Sequence, residues 1–139
     1  MIVYFDTSAF VKLFLPDEPR EVAQLAWDLA PTAAVSLVLY PEARAALAAA
    51  RRHGRPVDVD ADATGDAIDT RMEGAHVVAP TYRLVHEAGE LAESRALRGF
   101  DAVHLASALQ HGPDTVVVTA DKRLAAAAVA EGMVVLLAV

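Results

Sequence analysis

Short apolar runs without polar alternation recur along this chain, each separated from the next by stretches of helical character. Ile2-Val3-Tyr4-Phe5 is the first, halted by Asp6-Thr7-Ser8. Ala33-Ala34-Val35, His76-Val77-Val78-Ala79, Thr115-Val116-Val117-Val118 and Met133 to Leu137 follow. A strand apolar on both faces needs cover on both faces, which is the condition of a parallel sheet between helices. The alternation therefore predicts an α/β domain with a mostly parallel sheet.

Helices are expected over Ala9 to Leu15, ended by Pro16, and over Pro19 to Ala30, where Val22, Leu25, Ala26 and Leu29 form one stripe. The next begins after Ser36, a capping residue, and runs to about His53, with Gly54 at its end. Pro41 either bends its first turn or lies near its true start. Val59 to Gly74, Thr81 to Leu97 and Phe100 to His111 come next, then a helix from Asp121 to near Gly132. The alanine runs 43–50 and 125–130 suit tightly packed helices.

The 139 residues fit one domain spanning 1–139, without repeat or linker. A hydrophobic fraction of 55% excludes intrinsic disorder. The absence of cysteine excludes a disulfide scaffold, a thiolate zinc site and a cysteine nucleophile. The first residues do not read as a signal peptide, and no apolar run approaches the ~20 residues of a membrane helix. A cytoplasmic protein is expected. Twelve basic against 19 acidic residues leave a net charge of −7, which argues against coating nucleic acid by bulk charge. It leaves room for a nuclease whose acids hold metal and whose local basic patch holds the backbone.

Four acids carry the chemistry. Asp6 follows the first strand, and Asp121 follows the Thr115–Val118 strand by a short turn. Ligands of open α/β sheets bind beyond the carboxyl ends of strands, where strand order reverses. Glu42 begins one helix, and Asp101 lies in the first turn of another, with Leu105 and Ala108 on its face. Singly, Asp6 and Asp121 also read as helix caps, Glu42 as a solvated residue and Asp101 as a complement to the helix dipole. Together they would repel, and a hard cation such as Mg²⁺ or Mn²⁺ would relieve them.

With these residues in place the chain resembles the PIN-domain ribonucleases, and most of all the VapC-like toxins of type II toxin–antitoxin pairs. The likeness rests on Asp6-Thr7-Ser8, Val35-Ser36 followed by Glu42-Ala43, Phe100-Asp101-Ala102-Val103-His104-Leu105-Ala106, and Thr119-Ala120-Asp121-Lys122-Arg123-Leu124. It implies a PIN-like three-layer α/β/α fold with a central, mostly parallel sheet of four to five strands. It implies a metal site of Asp6, Glu42, Asp101 and Asp121, supported by Ser8 and Thr119. It also implies an endoribonuclease, the toxin of its pair, which forms a homodimer and is masked by a small antitoxin. Metal-activated water would cleave RNA to a 5′-phosphate and a 3′-hydroxyl.

Arg44, Arg51, Arg52 and Arg55 cluster along one helix and its exit, with Arg95, Arg98, Lys122 and Arg123 elsewhere. They read as a solvated face or as an RNA-phosphate track beside the metal site. His104, three residues after Asp101, reads as packed or hydrogen-bonded rather than as a ligand, because hard cations prefer oxygen. His53, His76, His86 and His111 form no motif. Ser8 lacks the surroundings of a hydrolase nucleophile. Val11 to Leu15, with Trp27, reads as core or as a partner groove. Two alternatives stand beside the nuclease: a catalytically silent PIN scaffold binding RNA or a partner, and a receiver-like phosphoacceptor domain.

Overall fold

The computed structural model describes residues 1–139 and contains five strands in one sheet, ordered β3-β2-β1-β4-β5, with every neighbouring pair parallel. They are β1 (Ile2–Phe5), β2 (Thr32–Ser36), β3 (His76–Val78), β4 (Val116–Thr119) and β5 (Val134–Leu137). This order is not the 2-1-3-4-5 of receiver-like folds, so that alternative falls. Side chains alternate across the sheet. Val3 and Phe5 join Ala33, Val35 and Val118 in one core, while Tyr4 joins Ala34, Val78 and Val117 in the other.

The first core is covered by α1 (Thr7–Phe10), the 3₁₀ turn Val11–Phe14, α2 (Glu21–Leu29), α3 (Leu39–Arg52) and α4 (Thr64–Glu73). The second is covered by α5 (Tyr82–Arg95), α6 (Gly99–Leu109) and α7 (Lys122–Ala130). The alanine runs work as expected. Ala43 and Ala50 flank Leu47 on the buried face of α3, and Ala127 and Ala128 are buried on α7.

Several boundaries and faces differ from the sequence reading. The first helix starts at Thr7, because Asp6 caps it through a bond from the Ala9 amide. On α2 the inward residue is Ala23, with Val22, Ala26 and Trp27 packed against the core, whereas Leu25 and Leu29 face solvent. Trp27 sets that rotation, meeting Phe5 at 4.9 Å and Phe10 at 5.6 Å between ring centroids. Val11, Leu13, Phe14 and Leu15 are buried in the core, and Leu13 and Phe14, with Trp27, also form the floor of an open cleft between α2 and α4. Ser36 bonds the Val38 amide in a turn instead of capping α3, and Pro41 sits in the first turn, where its missing N–H costs nothing. The fourth helix begins at Thr64 rather than Val59. Arg51 reaches from α3 to the Val59 carbonyl and the Thr64 hydroxyl, holding the intervening chain outside the helix.

Candidate functional site

Strand order reverses between β1 and β4, and the residues that close these strands meet there. Register pairs Phe5 with Val118, so Asp6 and Thr119 become neighbours. The Thr119 hydroxyl donates to Asp6 Oδ2 at 2.6 Å. Ser8 Oγ lies 2.8 and 2.9 Å from the two Asp6 oxygens, and the Ala9 amide donates to Oδ1 at 3.0 Å. Both hydroxyls are themselves anchored: Ser8 accepts from the Ala120 amide and Thr119 from the Asp121 amide. Asp6 is only 2% exposed. Burial pushes its carboxyl above the ordinary value, opposed by the charge of His104 and by its donors from Thr119, Ala9 and Ser8.

Glu42 enters from the first turn of α3. Its Oε1 accepts from Thr7 Oγ1 at 2.7 Å and faces His104 Nε2 at 2.7 Å. Partial burial works to raise Glu42, but the hydrogen bond and charge of His104, with Thr7, outweigh it and hold the carboxyl below its usual value. Asp101, in the first turn of α6, has no such support. Partial burial raises it most and the like charge of Asp121 next; His104 pulls the other way, and Asp6 and Glu42 add smaller pushes. Asp121 caps α7, its Oδ1 accepting from the amides of Arg123 and Leu124. All four acids thus share one end of the sheet, and Asp101 feels the other three.

A match to the PIN domain family covers residues 3–130. The chain belongs to the PIN domain family. Two curated relatives from Mycobacterium tuberculosis are each 46% identical over 133 residues, covering 94% of this chain and 92% of theirs. They are Ribonuclease VapC45 of strain CDC 1551 / Oshkosh and Ribonuclease VapC49 of strain ATCC 25618 / H37Rv. Among solved structures, the Mycobacterium tuberculosis VapC20, a sarcin-ricin loop cleaving toxin, superposes with a TM-score of 0.70 at 23% identity over 90% of this chain and 94% of its own. A toxin–antitoxin complex from Klebsiella pneumoniae gives 0.59 at 18% identity, covering 82% and 83%. The structural likenesses speak for the fold.

The donor set of this PIN domain fits a hard cation. Its acids supply only oxygen, and Asp101 is a crowded carboxylate to which no side-chain or backbone donor is assigned. No three carboxylates or imidazoles approach closely enough to enclose an ion alone. A hard cation held here would keep much of its water, with one or two carboxylates in direct contact.

The basic residues do not form one track. Glu42 opens α3, whereas Arg51 and Arg52 close it, roughly 14 Å further along the axis. Arg51 is committed to Val59 and Thr64, Arg55 to Asp17 and Glu18, and Arg95 to Glu131. Arg44 donates to the Tyr40 hydroxyl at 3.0 Å. Arg98, Lys122 and Arg123 are exposed beside the helix starts that carry Asp101 and Asp121. His104 is hydrogen-bonded, as expected from its sequence surroundings. Sequence reasoning missed Thr7 and Tyr4, which bond Glu42 and His104 respectively. Only the Asp-Thr-Ser triplet hinted at Thr7. His76 and His111 meet edge to face at 5.0 Å away from these acids.

Proposed function

We propose that this PIN domain is a Mg²⁺- or Mn²⁺-dependent endoribonuclease and the toxin of a toxin–antitoxin pair. The observation that carries the reading is the placing of Asp6, Glu42, Asp101 and Asp121 at the β1–β4 reversal, with Asp101 raised by partial burial and then by the like charges of Asp121, Asp6 and Glu42. The 46% identity to two ribonucleases over nearly the whole chain supports RNA as the substrate.

Asp6 and Asp101 would hold the ion, directly or through water, and Glu42 and Asp121 would complete the shell or orient the attacking water. When bound, such an ion lowers the pKa of water and shields the phosphodiester's charge. Ser8, Thr119 and the Ala9 amide keep Asp6 in one rotamer. Arg98, Lys122 and Arg123 are the cations best placed to meet RNA phosphates; Arg44 is engaged with Tyr40, and Arg52 sits at the far end of α3. Hydrolysis joins the water oxygen to phosphorus and breaks the bond to the 3′ oxygen, leaving a 5′-phosphate and a 3′-hydroxyl. A cytoplasmic homodimer held in check by a small cognate antitoxin completes the reading.

Total RNA incubated with purified protein and Mn²⁺, followed by sequencing of the new 5′ ends, tests it. Discrete cleavage is expected, lost with EDTA and in Asp6→Ala. Equal cleavage in the variant, or in EDTA, would sink the reading.

A further inference from the structure

Glu42 is gripped on one oxygen only, and one of its two donors is the end of a chain that runs back into the core. His104 is 2% exposed and Tyr4 is fully buried. The Tyr4 hydroxyl lies 2.8 Å from His104 Nδ1, and His104 Nε2 lies 2.7 Å from Glu42 Oε1. A phenol keeps its proton at neutral pH, so Tyr4 can donate as well as accept. Tyr4 can donate to Nδ1 of a neutral ring or accept from Nδ1 of a protonated one, and in both states the Nε2 proton goes to Glu42. Phenylalanine and leucine would fill the same interior without polar atoms, and buried polar chains are costly unless fully paired. Glu42 Oε2 receives no bond from the chain, whereas both oxygens of Asp6 are held.

We propose that Tyr4 and His104 are positioning residues for Glu42: Tyr4 fixes the imidazole, and the imidazole fixes Oε1, so that Oε2 stays available to a cation or its water. The relay rests on the reading of Glu42 as part of the metal site. It links β1, α6 and α3, so the rotamer of Glu42 is set by the core rather than by solvent. Partners that orient a metal-site residue through its far side behave this way, and losing them costs roughly 10–100-fold in metal affinity.

Mn²⁺ titration of the RNA-free protein, followed by electron paramagnetic resonance, tests the relay in wild type, Tyr4→Phe, His104→Phe and Glu42→Gln. Tyr4→Phe removes a single oxygen and should weaken Mn²⁺ roughly tenfold with unchanged circular dichroism. The same change in a Glu42→Gln background should have no effect, which a general packing defect would not reproduce. Should His104→Phe fail to fold, Tyr4→Phe alone carries the test. Unaltered affinity in Tyr4→Phe, or an equal loss with and without the Glu42 carboxylate, overturns the relay while leaving the nuclease reading intact. Failure of the wild-type protein to bind Mn²⁺ overturns both.

Discussion

Asp101→Asn should abolish cleavage and yet stabilise the metal-free protein. The change is isosteric and gives up no hydrogen bond assigned to the carboxylate. Partial burial and the three like-charged neighbours, net of the pull from His104, disfavour the ionised carboxyl by about 1 kcal/mol across partly wet space. Against this, a negative charge in the first turn of α6 is worth about 0.5 kcal/mol. The net expectation is a variant more stable by about 0.5 kcal/mol in EDTA. With Mn²⁺ at about 100 times its dissociation constant, the wild-type protein gains about 2.7 kcal/mol, and the variant far less. The ranking therefore reverses, with wild type ahead by about 2 kcal/mol, or roughly 6 °C in Tm. Because the folded pKa of Asp101 is raised, its favourable protonated contribution is complete below the unfolded value and lost as pH rises through the folded one. The advantage of the variant in EDTA should accordingly be present at neutral pH and vanish below about pH 4. Urea unfolding in EDTA and in Mn²⁺ reads both. A variant that is less stable in EDTA, or that gains as much from Mn²⁺ as wild type, refutes the reasoning.

Three further outcomes are expected. Asp6→Ala should eliminate Mn²⁺-dependent cleavage and lower stability by about 1–3 kcal/mol in urea unfolding, because Ser8, Thr119 and the Ala9 amide lose their shared acceptor. Arg51→Ala should cost about 2 kcal/mol by the same assay while leaving Mn²⁺ affinity unchanged, since its guanidinium serves Val59 and Thr64. Ala96 ends α5 at φ +52°, so Ala96→Gly should raise Tm by a few degrees, corresponding to about 1 kcal/mol; a lower Tm would contradict the strain at this position.

The strands were legible because each is a short apolar run between helical segments, and the parallel sheet followed from the need to cover both faces. Asp6 and Asp121 were legible from their places just beyond strands. The rotation of α2 was not. Val22, Leu25, Ala26 and Leu29 make an acceptable apolar stripe on helical spacing alone, and only the docking of Trp27 against Phe5 and Phe10 turns Leu25 and Leu29 outward. Nor was the fate of Arg51, whose spacing from Arg44 says which face it shares but not that a carbonyl and a hydroxyl wait for it.

Sequence alone thus determined the alternation of elements and singled out the four acids as candidates, because both readings depend on residue type and local order. Tertiary structure decided which groups touch. The hydrogen bonds that orient Glu42 join residues 35 and 62 positions apart, and Tyr4 meets His104 across 100. Such contacts exist only once strand order and helix rotation are set, and those are chosen by the packing of the whole core.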